Sequence, residues 1–65
     1  MSERRLLQII SDESRTSLGA PSAIVHSKYG HGYNETLYVL VRRGYVDKST
    51  AGLLNLTKAG RAASR

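Results

Sequence analysis

The chain has 65 residues and no cysteine, which excludes disulfides and thiolate metal sites and leaves room for one small domain, spanning 1–65. A domain of this size buries only about 60% of the surface its unfolded chain exposes, so its core is marginal. Ten Lys and Arg against five Asp and Glu give a formal charge of +5; such a field favours an anionic partner, nucleic acid ahead of an acidic protein or a membrane surface.

No apolar run approaches the roughly 20 residues that span a bilayer. Met1-Ser2-Glu3-Arg4-Arg5 is followed by only a short apolar cluster and then a polar stretch, which does not read as a signal peptide. With Met1 first, a complete small protein and a domain of a longer one both stay open. The absence of cysteine fits a reducing compartment. The expectation is a cytoplasmic protein, associated with the nucleoid if it binds DNA, with no membrane contact.

Ser2 is a candidate N-cap, with Glu3 in the favourable first turn. Leu6, Leu7, Ile9 and Ile10 follow at helical spacing, predicting a first helix over about 3–12. Residues 13–19 are polar and end in glycine; Arg15 to Leu18 are expected to form a very short extended piece. Pro21 suits the first turn of a helix, and a short second helix over 22–28 is predicted, with Ala23, Ile24 and Ser27 inward. Gly30-His31-Gly32 breaks it.

A third helix is predicted from His31 or Tyr33 to Arg43. Tyr33, Leu37, Leu40 and Val41 recur at i, i+4, i+7 and i+8, one core face. At about 100° per residue, His31, Glu35, Tyr38 and Arg42 fall together on the opposite face. Gly44 stands where a glycine ends a helix. Tyr45 to Lys48 is then a strand, Ser49-Thr50-Ala51-Gly52 a turn and Leu53 to Leu56 a return strand. Thr57 caps a last short helix from Lys58 to about Ser64. The fold class is mostly α with a small β-hairpin, an α+β domain.

The second half reads L-x-x-L-x-x-x-G-Y-V over Leu37 to Val46, then L-x-L-T-x-x-G-R over Leu54 to Arg61. These motifs resemble the winged helix-turn-helix family, closely over 33–61 and by pattern alone over 3–28. The family similarly closes its recognition helix with Leu, three residues and Gly, and often closes its wing with Leu-Thr, two residues and Gly. The resemblance implies a three-helix core, a recognition helix over about 31–43, a wing over 45–56 and a short C-terminal helix. The chain departs from the pattern in its short second helix with Pro21, in the glycine-rich turn Tyr29 to Gly32, and in a tight wing loop holding only Lys48.

The function implied is sequence-specific binding of double-stranded DNA by a small transcriptional regulator. An α-helix fits the major groove, where base edges present a readable donor and acceptor pattern. The candidate contacts on the third helix are His31, Asn34, Glu35, Tyr38 and Arg42. Asn34 suits adenine, and Tyr38 suits a phosphate or a thymine methyl. Glu35 either accepts from a cytosine amino group or is a solvated surface charge. Arg42, Arg43 and Lys48 are the phosphate candidates near the wing, with Arg15, Ser17, Ser22 and Lys28 approaching the backbone from the second helix and the segment that leads into it. Arg42 and Arg43 also suit the C-terminal end of a helix dipole without any DNA. Tyr33 and Tyr45 are expected in the core.

His26 and His31 lie five apart without cysteine or a supporting acid, so no metal and no cofactor are expected. No phosphate loop, nucleophile elbow or carboxylate pair is present, and the chain offers little room for a substrate cleft, so no enzyme or small-molecule substrate is expected. A homodimer would double the contacts, through the first helix or the segment Ala59 to Ala63. The competing reading is a winged-helix interaction module, of phage or mobile-element type, docking an acidic partner protein. The acidic and aromatic pair Glu35 and Tyr38 suits that reading. RNA binding by base stacking lacks the interleaved exposed aromatics it needs.

Overall fold

The computed structural model describes residues 2–15 and 18–65. In chain order they form α1 (Ser2–Glu13), β1 (Ala20–Pro21), α2 (Ser22–Tyr29), α3 (Tyr33–Arg42), β2 (Val46–Lys48), β3 (Leu53–Leu56) and α4 (Lys58–Ala63). The described residues thus make a small α+β domain of four helices and a three-stranded antiparallel sheet in the order β1-β3-β2.

Helix α1 turns Leu6, Leu7 and Ile10 into the core and keeps Ile9 at its edge. It begins at Ser2, so the capping position before it lies outside the described residues. The expected extended piece falls differently. Arg15 is in a turn and 16–17 lie outside the described residues, while the strand comes later, at Ala20–Pro21. Ala20 pairs with Leu54 and Pro21 with Leu53. Pro21 carries no N–H to donate, which an edge strand tolerates.

The inward face of α2 is Val25 and Tyr29; Ala23, Ile24 and Ser27, expected inward, are exposed. Val25 and Tyr29 stand i and i+4, and burying an aromatic ring with a valine removes more apolar surface than burying alanine and serine. The Tyr29 hydroxyl lies 3.2 Å from Thr36 Oγ1, which ties α2 to α3. Between these helices, Gly30 and Gly32 have φ of 88° and 87°, values that side chains with a Cβ rarely adopt.

Helix α3 buries Tyr33, Leu37 and Leu40. Val41, expected with them, is 40% exposed. It lies about 70° from the middle of the buried arc, on the Tyr38 side, so the helix leaves it at the margin. Past the helix, Gly44 N donates to Val41 O and Tyr45 N donates to Leu40 O, at 3.1 and 3.0 Å. Both bonds close a Schellman turn, with Gly44 at φ 79° as its left-handed residue.

The hairpin pairs Val46 with Leu56 and Lys48 with Leu54. Thr57 then joins three elements. Its N–H donates to Tyr45 O at 3.0 Å, its hydroxyl donates to Gly44 O at 2.5 Å, and the same oxygen accepts from Gly60 N at 3.0 Å. The core unites Leu6, Ile10, Val25, Leu40, Val46 and Leu54, all buried, so every helix but α4 and both long strands contribute a side chain; α4 adds the half-buried Ala63.

Candidate nucleic-acid interface

The outer face of α3 carries Asn34, Glu35, Tyr38 and Arg42, all exposed, with His31 exposed in the turn before it. Tyr38 is 61% exposed. Arg42 lies over its ring, 5.7 Å from the centroid, and Arg42 Nη1 donates to the Tyr38 hydroxyl at 3.2 Å. The two side chains therefore form one amphipathic unit, a flat ring backed by a cation.

Two concavities open along α3, one at its head and one beside Tyr38. One, about 490 Å³, is lined by His26, the turn Gly30 to Gly32, and Tyr33, Asn34 and Glu35. His26 stacks on Tyr33 with centroids 4.4 Å apart, and the Tyr33 hydroxyl lies 2.7 Å from Ser22 Oγ. The other, about 280 Å³, lies between α3 and β2 and is lined by Asn34, Leu37, Tyr38, Val41 and Lys48. Lys48 reaches it because side chains alternate along a strand: Val46 is buried, and Lys48, two residues on, shares its side of the sheet.

The candidates within the described residues divide into two groups. His31, Asn34, Glu35, Tyr38, Arg42 and Lys48 come together around α3 and β2. Arg15, Ser22, Lys28 and Arg43 have partners elsewhere in the chain. Lys28 Nζ is 2.5 Å from Glu13 Oε2, Arg43 Nη1 is 2.7 Å from Glu3 Oε1, and Arg15 Nη1 is 4.0 Å from Asp12 Oδ1. Ser22 is half-buried against Tyr33. Ser17 lies outside the described residues.

Val41 belongs to the exposed surface, although its spacing alone points to the core. The apolar sides of the two expected dimer surfaces are turned inward: Leu6, Leu7 and Ile10 of α1 are buried, as is Gly60 of α4. Among the described residues, no group of three His, Cys, Asp or Glu side chains could hold a metal. None of the described helices is long and apolar enough to cross a membrane. No protein-family model, curated protein or solved structure matches the chain.

Proposed function

We propose that the chain is a winged helix-turn-helix domain that binds double-stranded DNA, with α3 as the helix that enters the major groove and β2–β3 as the wing, acting as a small transcriptional regulator. The observation that carries this is the outward face of α3, where Asn34, Tyr38 and Val41 are exposed beside the hairpin and share a concavity with Lys48. The element order and the sheet order β1-β3-β2 support the same reading. In this reading Asn34 pairs with adenine, and the Tyr38 ring with Val41 packs on thymine methyls. Arg42 holds the ring in place and Lys48 meets a phosphate. Lys28 and Arg43 serve the fold through their carboxylate partners.

The test is binding to a library of random duplexes. Tyr38→Ala and Asn34→Ala should flatten the preference among sequences while the protein stays folded. A wild-type protein that binds no duplex at low salt sinks the proposal.

A second reading has its own support. Exposed Tyr38 and Val41 give α3 an apolar, aromatic centre, and the elements around them carry little charge: Arg42 and Lys48 are matched by Glu35 and Asp47. A centre of that kind with a polar rim suits a protein partner. Loss of capture of one partner protein on Tyr38→Ala, with no duplex bound, would favour it.

A further inference from the structure

The net charge of the molecule lies away from α3. Of ten cationic and five acidic side chains, three of each meet in the pairs Arg15–Asp12, Lys28–Glu13 and Arg43–Glu3. Seven cations and two acids remain. Arg42 of α3 and Lys48 of β2 are offset by the two acids, Glu35 of α3 and Asp47 of β2. The five cations left over are Arg4 and Arg5 in the first turns of α1, Lys58 and Arg61 in α4, and Arg65 just past it. Four-fifths of the formal +5 therefore belongs to α1 and the α4 end of the chain, away from Arg5.

Four of these five form a single exposed surface. Arg4 Nη2 donates to the Arg65 carbonyl, which joins α1 to the end of α4. On α4, Lys58 and Arg61 fall within about 60° of arc, facing away from Gly60, which is buried, and Ala63, which packs on the core, and Arg65 follows just past the end of the helix. All four are exposed, Arg61 with one guanidinium nitrogen, Nη1, donating to Leu56 O at 3.3 Å and the other free to turn outward. Arg5 points elsewhere, donating to Tyr29 O and Lys28 O at the end of α2. The nearest acid along α1, Glu3, is already bound to Arg43. Lys58 also stands at the first position of α4, with no acid in that turn, where the free N–H groups of a helix disfavour a cation.

We propose that this α1/α4 end, Arg4 with Lys58, Arg61 and Arg65, is the phosphate-contact surface from which the chain draws most of its salt-dependent affinity for DNA. The inference rests on the DNA reading above and assigns its electrostatic part to residues outside α3 and the wing. The ligand is a phosphate strand for two reasons. Three of the four cations are arginines, whose planar forks match phosphate oxygens. No large apolar side chain is exposed on α1 or α4, the exposed ones among the described residues being Leu18, Ile24, Tyr38 and Val41; a protein interface would need such an anchor. The position also fits. Glu3 and Arg43 tie the start of α1 to the C-terminal end of α3. A helix of 10 residues is about 15 Å long and crosses a groove about 12 Å wide, so that end emerges at the groove's edge, where the backbone runs.

The experiment compares two double variants with equal charge change, Lys58→Gln/Arg61→Gln and Arg42→Gln/Lys48→Gln, in titrations of duplex DNA at several salt concentrations. All four positions are exposed, and circular dichroism with thermal melting verifies the fold of each variant. At about 0.9 per phosphate contact, the first pair should lower the slope of log affinity against log salt by about 1.8, and the second by about 0.9, for the single contact of Lys48. An unchanged slope in the first pair, with the wild type binding, overturns this inference and leaves the DNA reading standing. A wild type that binds no duplex at low salt overturns both. Polyglutamate bound as tightly as duplex overturns the assignment to phosphate in favour of an acidic protein.

Discussion

Gly60 faces the carbonyl of Tyr45 so closely that a Cβ built on it would fall 1.9 Å from the oxygen. That carbonyl also accepts from Thr57 N, so it cannot swing away without breaking the link between hairpin and α4. The glycine of the Leu-Thr-x-x-Gly motif is therefore a packing requirement. Gly60→Ala forces the backbone of α4 away from Tyr45, at the foot of the hairpin. Overpacking of this kind typically removes about 1–3 kcal/mol, a large share of what a 65-residue chain holds in reserve. Chemical denaturation should find a lower midpoint. A variant as stable as the wild type would mean that α4 is free to shift.

Thr57 is the partner in that arrangement. Its hydroxyl donates to Gly44 O and accepts from Gly60 N. Thr57→Ala leaves both without it and should destabilise by about 1 kcal/mol. Thr57→Ser keeps the oxygen and should recover most of the loss. Equal melting temperatures for the alanine and serine variants would show that the hydroxyl is not what holds α4.

Tyr33 lies in the core, yet its hydroxyl meets Ser22 Oγ at 2.7 Å and its ring carries the stacked His26. Tyr33→Phe keeps the ring and removes one hydrogen bond, a loss of about 0.5–1.5 kcal/mol. Tyr33→Ala opens the core and should lose about 3–5 kcal/mol, enough to unfold much of the population at room temperature. The measurement is thermal unfolding of both variants side by side.

Arg43 and Glu3 join the two ends of α3 and α1 at the surface, with both side chains partly exposed. Exposed pairs are worth little, about 0–1 kcal/mol. Glu3→Gln should therefore hardly move the melting temperature. It should tighten duplex binding at low salt, because it removes an acid beside the cationic end. Weaker binding in this variant would argue against that end as a phosphate surface.

Much of this was legible in the sequence. The stripe of Leu6, Leu7 and Ile10, the glycine stop at Gly44 and the Thr57 cap are local signals, each decided within one or two turns of chain. What was not legible depends on partners far away in the chain. Val41 sits at the edge of its stripe, and periodicity cannot tell an edge from a centre. The inward face of α2 followed Tyr29, whose burial depends on where α3 lies. Lys28 and Arg43 read as DNA contacts because the carboxylates that meet them stand 15 and 40 residues away. The cationic end stayed hidden for the same reason, since it shows only after those pairs are removed from the charge count. Lys58 beside its cap was the one local sign of it, a cation where a helix prefers an acid.

The two ends of α3 are held by different means. Its tail is closed by the Schellman turn at Gly44, whose carbonyl accepts from Thr57. Its head has no side-chain cap but is pinned to α2, by Tyr33 on Ser22 and His26 and by Thr36 on Tyr29. A rod clamped at both ends presents a fixed face. Asn34, Tyr38 and Val41 therefore meet a target at a set spacing, and the target does the fitting.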